Sequence, residues 1–215
     1  MSFLNKIILC VVTSLMLAAS AQATIITLDG TTEVGSLELS ESFLDFYDHN
    51  NGKAWSSDTG YEESDLVVMF LASYNDQLAL FTLVDAFNNS NDTAGLMDVD
   101  FSSMTDIGSI LFVDDSSDAS SDNGNSWSVN WTWAEGKGDG MIFLFDDADN
   151  FDLDIVFSNF TGINGGKFLS FDTQGNSEEI LFAPQLNLTA VPEPSTLAIF
   201  ALGLIALASK RRMQK

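Results

Sequence analysis

The chain has 215 residues, of which 46% are hydrophobic and 11% aromatic, and its formal net charge is −23. This acidity excludes nucleic acid and anionic lipid as partners, because binding to phosphates needs clustered lysine and arginine. The abundance of apolar and aromatic residues excludes intrinsic disorder, because such a chain can bury a core.

The N-terminus has the three parts of a secretory signal peptide. Lys6 supplies the positive charge, residues 7–19 are the apolar stretch, and Ala21 and Ala23 mark a cleavage site before Thr24. The apolar stretch is shorter than the roughly 20 residues that a membrane span needs. We therefore interpret the first 23 residues as a signal peptide that signal peptidase removes, together with the chain's only cysteine.

The part of the chain between the two ends, residues 24–190, has the length of one domain. It keeps 30 of the 31 acidic residues but only three of the eight basic ones, Lys53, Lys137 and Lys167, which leaves a formal charge of −27. Repulsion between these charges opposes aggregation of a chain rich in β-forming residues. The acidity alone therefore does not require a cationic ligand.

Apolar and polar residues alternate along much of this domain, which is the period of a half-buried β-strand. In residues 127–133 the alternation places Trp127, Trp131 and Trp133 on one face. We expect this face to lie in the core; an exposed face that stacks on sugar rings is the alternative. Continuous apolar runs, such as residues 66–72, indicate central strands that are covered on both faces.

The predicted elements define the fold class. Short strands separated by Gly, Asn and Asp turns predict an all-β protein with a single antiparallel β-sandwich or jelly-roll-like domain. A signal peptide and a C-terminal hydrophobic helix flank it. In chain order, the predicted strands are 24–29, 36–39, 66–72, 78–84, 109–113, 127–133, 140–145, 151–155, 167–171 and 185–189, with one helical turn at 41–48 and a turn at 136–140.

Catalytic signatures are missing from the domain. Its one histidine, His49, lies in a polar turn, and no nucleophile elbow accompanies it. Paired carboxylates for glycoside cleavage cannot be singled out in so acidic a chain. We therefore expect a protein that is not an enzyme, with a secreted glycan-active enzyme as the weakest alternative. Trp55, in a loop, is a candidate surface aromatic.

Two segments offer oxygen ligands at a density that suits calcium, which binds six to eight oxygens on loops. The first runs from Asp114 to Asn123 and the second from Asp146 to Asp154. Neither matches an EF-hand, and solvated acidic loops are the alternative for both. The sequence favours the second segment because its aspartates bracket a tight turn; the candidate ligands there are Asp147, Asp149, Asp152 and Asp154. No other cofactor is predicted.

The last 25 residues have the composition of a sorting tail. A short apolar stretch, residues 196–208, follows a proline-containing motif and precedes a basic cluster that resists translocation. The stretch is shorter than a typical span, which fits a transient anchor in the inner membrane. The motif is Val191, Pro192, Glu193 and Pro194, and the basic cluster is Lys210, Arg211 and Arg212.

This order of motif, apolar helix and basic end resembles the PEP-CTERM sorting signal of exported proteins in Gram-negative bacteria. The resemblance covers only residues 190–215. It implies that an integral-membrane exosortase recognises and cleaves the tail, and that the protein then reaches the cell surface or the extracellular matrix. It implies nothing about the domain itself, for which we weigh a surface or matrix protein against a calcium-assisted exopolysaccharide-binding module.

Overall fold

The structure, a computed structural model, describes residues 24–47, 57–86, 94–115, 118–122 and 125–192. Residues 26–190 form one compact unit, and a second unit combines residues 1–25 with 191–215. Within the described ranges, no helix is both long and apolar enough to cross a membrane. The apolar stretches of the signal peptide and of the tail lie outside these ranges, as do His49 and Trp55.

The described residues form two β-sheets and one short helix. The first sheet has the strand order β2-β1-β14-β11-β6-β9-β8, and the second has the order β13-β12-β4-β5-β10-β7, with β3 beside β4. The elements are β1 (Thr24–Leu28), β2 (Thr32–Glu33), β3 (Leu37–Glu38), α1 (Phe43–Tyr47), β4 (Leu66–Tyr74), β5 (Gln77–Val84), β6 (Gly95–Ser102), β7 (Gly108–Val113), β8 (Ala119–Asp122), β9 (Ser126–Trp133), β10 (Asp139–Phe145), β11 (Phe151–Thr161), β12 (Gly165–Phe171), β13 (Ser177–Phe182) and β14 (Gln185–Pro192).

The all-β class and the sandwich are confirmed, but the second sheet is mixed and not purely antiparallel. Strand β4 pairs in parallel with β12 and with β3, and antiparallel with β5. The chain enters β12 directly from β11 of the first sheet. A strand that arrives from another sheet is free to pair in either direction, whereas a hairpin enforces antiparallel pairing.

Each of the ten predicted strands and the helical turn is present with shifted ends, but β2, β6, β8 and β13 were not predicted. Strand β6 has a clear period of two, with Met97, Val99 and Phe101 buried between more exposed neighbours. Two of those neighbours are aspartates, a residue depleted in strands, and this composition hides the alternation. The predicted turn at 136–140 was wrong at its end, because Asp139 already belongs to β10.

The main core lies between the two sheets. Trp127, Trp131 and Trp133 are at most 3% exposed, which confirms that the tryptophan face of β9 is a core face. Trp127 of the first sheet meets Phe143 of the second with ring centroids 4.8 Å apart. Burial of three indoles accounts for a large part of the hydrophobic stabilisation, because each removes a large apolar area from water.

A second core covers the other face of the second sheet. Phe43 and Tyr47 of α1 pack there against a cluster that includes Phe70 of β4 and Phe81 of β5. The Phe70 and Phe81 rings stack with centroids 5.0 Å apart. Strands β4 and β5 are therefore buried on both faces, as their continuous apolar runs predicted.

Lys167 is a buried cation on β12. It is 3% exposed, and its Nζ donates to carboxylates of Glu63 and Glu179, the latter at 2.8 Å. Burial alone would lower the pKa of Lys167, but the hydrogen bonds to Glu179 and Glu63 raise it above its ordinary value. The ammonium group is therefore charged and anchors two acidic segments.

We expect Lys167→Met to destabilise the protein by about 1 kcal/mol, because the two glutamates are half-exposed and can turn to water once the cation is lost. Urea unfolding measures this cost. Glu179→Gln, which leaves Glu63 paired with the lysine, is the control and should cost less. A Lys167→Met protein as stable as the original would show that the ion pairs contribute nothing.

Candidate functional site

The structure describes only part of the predicted processing sites. Thr24 opens β1, and Val191 and Pro192 close β14, with Val191 51% exposed. The remaining predicted residues lie outside the described ranges: Ala21, Ala23, Glu193, Pro194, Lys210, Arg211 and Arg212. The sorting motif therefore begins within the last strand of the fold.

The structure brings together three carboxylates that are distant in the sequence. Oxygens of Asp115, Asp118 and Asp139 all lie within 4.8 Å of one another. Among the described residues, this is the one group of three or more acidic, histidine or cysteine side chains close enough to share a metal ion. We call these three residues the carboxylate triad.

The triad sits where the chain crosses from the second sheet to the first. After β7, the amide of Asp114 donates to the carbonyl of Gly140 at 3.1 Å, which continues the β7–β10 pairing. The amide of Asp118 then donates to the carbonyl of Asp115, and the carbonyl of Asp118 accepts from Asn130 of β9, both at 2.9 Å. These bonds hold the turn between the two sheets and bring it beside Asp139.

The triad is strongly electronegative on its buried side. Asp139 is 4% exposed, and burial, followed by the charges of Asp114, Asp118 and Asp115, raises its pKa to about 8. The carboxylates therefore repel one another, and Asp139 holds a proton at neutral pH. A cation placed among them would relieve this repulsion.

A buried tyrosine stands behind the triad. The hydroxyl of Tyr47 donates to Oδ2 of Asp114 at 2.8 Å, in a fully buried contact. Burial, and then the charge and hydrogen bond of Asp114, raise the pKa of Tyr47 well above its ordinary value. The phenol is therefore a permanent donor, and it orients Asp114 beside the triad from the helix side.

The four predicted calcium ligands of the second segment fall into two places. Asp147 and Asp149 lie in the turn before β11, where Oδ1 of Asp147 accepts the Asp149 amide at 2.9 Å. Asp152 and Asp154 are exposed on the outer side of β11, and Oδ1 of each accepts from the side-chain amide of Asn187. The structure does not group these four carboxylates, and calcium binding by them stays a prediction.

A further buried carboxylate, Asp85, serves the core. Its Oδ2 accepts from the indole nitrogen of Trp133 at 3.0 Å, and its Oδ1 accepts the amides of Asp65 and Ala86. The indole lies directly on Gly95, its partner in β6, where a Cβ would come within 2.2 Å of the ring. Asp85 is therefore a structural acceptor.

Sequence reasoning found Asp115 and Asp118 as part of the first acidic segment but missed Asp139. Asp139 lies about 20 residues further on, between two glycines that indicated a turn. Only the pairing of β10 with β7 brings it to the segment. The one local signal was an aspartate at the beginning of a strongly apolar strand, a position that buries a charge.

A comparison with protein-family models finds one match, the PEP-CTERM protein-sorting motif, over residues 190–212. The chain carries a PEP-CTERM sorting signal. The match begins at the end of β14 and covers the proline motif, the apolar stretch and the basic cluster, which confirms the resemblance seen in the sequence. A PEP-CTERM motif implies export, processing by an exosortase and a place at the surface or outside the cell.

Other comparisons add little to the PEP-CTERM assignment. No curated protein matches the chain. One solved structure with a similar arrangement is the collagen-binding subdomain of the Enterococcus faecalis surface protein ACE, at 10% identity, covering 59% of this chain and 94% of that one with a TM-score of 0.23. No argument is drawn from a likeness at this score.

Proposed function

We propose that this protein is a non-enzymatic surface or matrix protein whose β-sandwich is exported, held briefly by its C-terminal tail and released by exosortase cleavage. The PEP-CTERM match at residues 190–212 is the observation that carries this proposal. Three further features support it: a signal peptide, a domain without catalytic signatures, and a high negative charge that favours solubility outside the cell.

The geometry of the acidic residues fits this role better than hydrolysis. Glycosidases need two carboxylates on opposite sides of a scissile bond, in a cleft that admits a sugar. A cavity of about 660 Å³ is lined by β3 and by the turn between β12 and β13, and it contains no member of the carboxylate triad. The triad is instead a tight group at the crossing between the sheets.

Replacing Pro192, Glu193 and Pro194 together with alanine tests the sorting step. We expect the variant to be exported and then retained in the inner-membrane fraction, because the exosortase no longer recognises the tail. Cell fractionation with immunoblotting measures the distribution. Alanine at Thr196, in the apolar stretch, is a control that keeps the motif. Equal release of the triple variant and the original protein would contradict the proposal.

A second candidate function is calcium-assisted binding of exopolysaccharide, and the carboxylate triad favours it. The tryptophans of β9 are buried, so stacking on that face does not support it. Co-sedimentation of the protein with the producing cell's exopolysaccharide, with and without calcium, tests this function. Binding that requires calcium would support it, and absence of binding in both conditions would exclude it.

A further inference from the structure

The carboxylate triad has the dimensions of a calcium site. Calcium binds oxygens at 2.3–2.6 Å, so two ligands on opposite sides of the ion lie roughly 5 Å apart. The triad oxygens lie within 4.8 Å of one another, so a single point can stand at ligand distance from all three. The group contributes two ligands from one turn and a third from a neighbouring strand, a combination that fixes the ligands without a dedicated loop motif.

Asp139 supplies an independent indication of a ligand. Its side chain is 4% exposed and offers one oxygen to the triad, and its Oδ2 accepts no hydrogen bond from any residue within the described ranges. A buried polar atom without a partner is costly, and native proteins rarely tolerate one. A bound cation satisfies such an oxygen and neutralises the carboxylates around it.

From this geometry we infer that Asp115, Asp118 and Asp139 bind one calcium ion at the crossing between the two sheets. The ligands are all oxygens, which excludes the softer metals that prefer nitrogen and sulfur. Calcium is favoured over magnesium because three carboxylates on a turn and a strand end give variable geometry, whereas magnesium demands a near-ideal octahedron. The exposed side of Asp115 leaves room for water to complete the coordination.

Calcium at this position would join the two sheets. Asp139 opens β10 of the second sheet, and Asp118 is bonded through its carbonyl to β9 of the first. An ion held by both would tie the edge of the sandwich together and bind only the folded state. The stability of the protein should therefore rise with calcium concentration, by mass action.

The test is thermal unfolding of the full-length chain in nonionic detergent, in EDTA, in 10 mM calcium and in 10 mM magnesium. For a dissociation constant near 10⁻⁴ M, typical of extracellular calcium modules, we expect calcium to raise Tm by about 5 °C or more and magnesium to do less. Isothermal titration with calcium chloride gives the dissociation constant directly.

Matched variants identify the ligands. Asp139→Asn and Asp115→Asn should each weaken calcium binding at least tenfold and remove most of the Tm shift. Asp115 is exposed, so its replacement cannot fail through misfolding. Asp147→Asn, in the acidic turn outside the triad, is the control and should keep the full shift.

Three outcomes would overturn the inference. Calcium could give no shift beyond that of magnesium. The Asp139 and Asp115 variants could keep the full shift. The Asp147 variant could lose the shift while the triad variants keep it, which would place the calcium in the second acidic segment. None of these outcomes bears on the sorting tail, so the proposed function is tested separately.

Discussion

In EDTA at pH 8, Asp139→Asn is expected to be more stable than the unaltered protein. The pKa of Asp139 is raised from 3.8 to about 8 by burial and by its acidic neighbours. Between these two values the unfolded chain is ionised while the folded protein holds a proton, so unfolding releases that proton. Stability from this group is fully present below pH ~4 and is lost as pH rises through ~8.

The groups that face Asp139 are all acidic or neutral in the contacts that shift it: Asp114, Asp115 and Asp118, with Tyr47 bonded to Asp114. Asparagine mimics the protonated carboxyl and has no charge to bury. We expect the variant to gain roughly 2–4 kcal/mol at pH 8 and little at pH 4. Urea unfolding in EDTA from pH 4 to 9 measures the difference between the two proteins.

Subtracting the two curves removes the general repulsion of a chain with this charge, because both proteins share it. Calcium should reverse the order of stability, since only the unaltered protein keeps the full ligand set. An asparagine variant less stable than the original at pH 8 in EDTA would show that the Asp139 carboxylate is well solvated or paired in the folded protein.

Two identical substitutions on β9 should differ strongly in cost. Trp131 and Trp133 are both nearly inaccessible, at 1% and 3% exposure. The Trp133 indole nitrogen donates to the buried Asp85, whereas the Trp131 indole nitrogen has no acceptor among the described residues. We expect Trp133→Phe to cost about 2 kcal/mol more than Trp131→Phe, because it removes a hydrogen bond to a charged group.

Each phenylalanine leaves a similar cavity, so the comparison isolates the hydrogen bond. Asp85→Asn in the Trp133→Phe background completes a double-mutant cycle and should recover part of the loss, since the neutral amide no longer needs the indole donor. Urea unfolding of the four proteins gives the coupling. Equal costs for the two tryptophan variants would show that the Asp85 contact does not stabilise the fold.

The fold class followed from local patterns because period-two alternation and continuous apolar runs depend on near neighbours in the sequence. Residues 127–133 and 66–72 were read correctly as a half-buried and a fully buried strand for this reason. Strand β6 escaped because aspartate at its outward positions resembles a turn, and burial of Met97, Val99 and Phe101 outweighs that preference.

The carboxylate triad could not be predicted as a unit because its members meet only through the tertiary fold. Asp115 and Asp118 lie in a segment that the sequence marked as acidic, but the density of aspartates in the second segment made that one more attractive. The choice depended on Asp139, whose distance from the turn is set by the register of β10 against β7. Local acid density is therefore a weaker guide to a cation site than burial.

The sorting tail is the opposite case. Its recognition depends on a short linear order of motif, apolar stretch and basic cluster, so the sequence alone was sufficient and the family match confirmed it. The domain that the tail delivers carries no comparable linear signature. Its role has to be argued from charge, burial and the triad.

The most direct test of the central claim is the intact mass of the protein recovered from the surface or medium of the producing cells. The sorting account predicts a chain that begins at Thr24 and has lost the apolar stretch and the basic cluster, and it predicts that cells without exosortase keep the whole tail in the membrane fraction. A surface protein that retains Lys210, Arg211 and Arg212, or one trimmed equally in cells without exosortase, would contradict it.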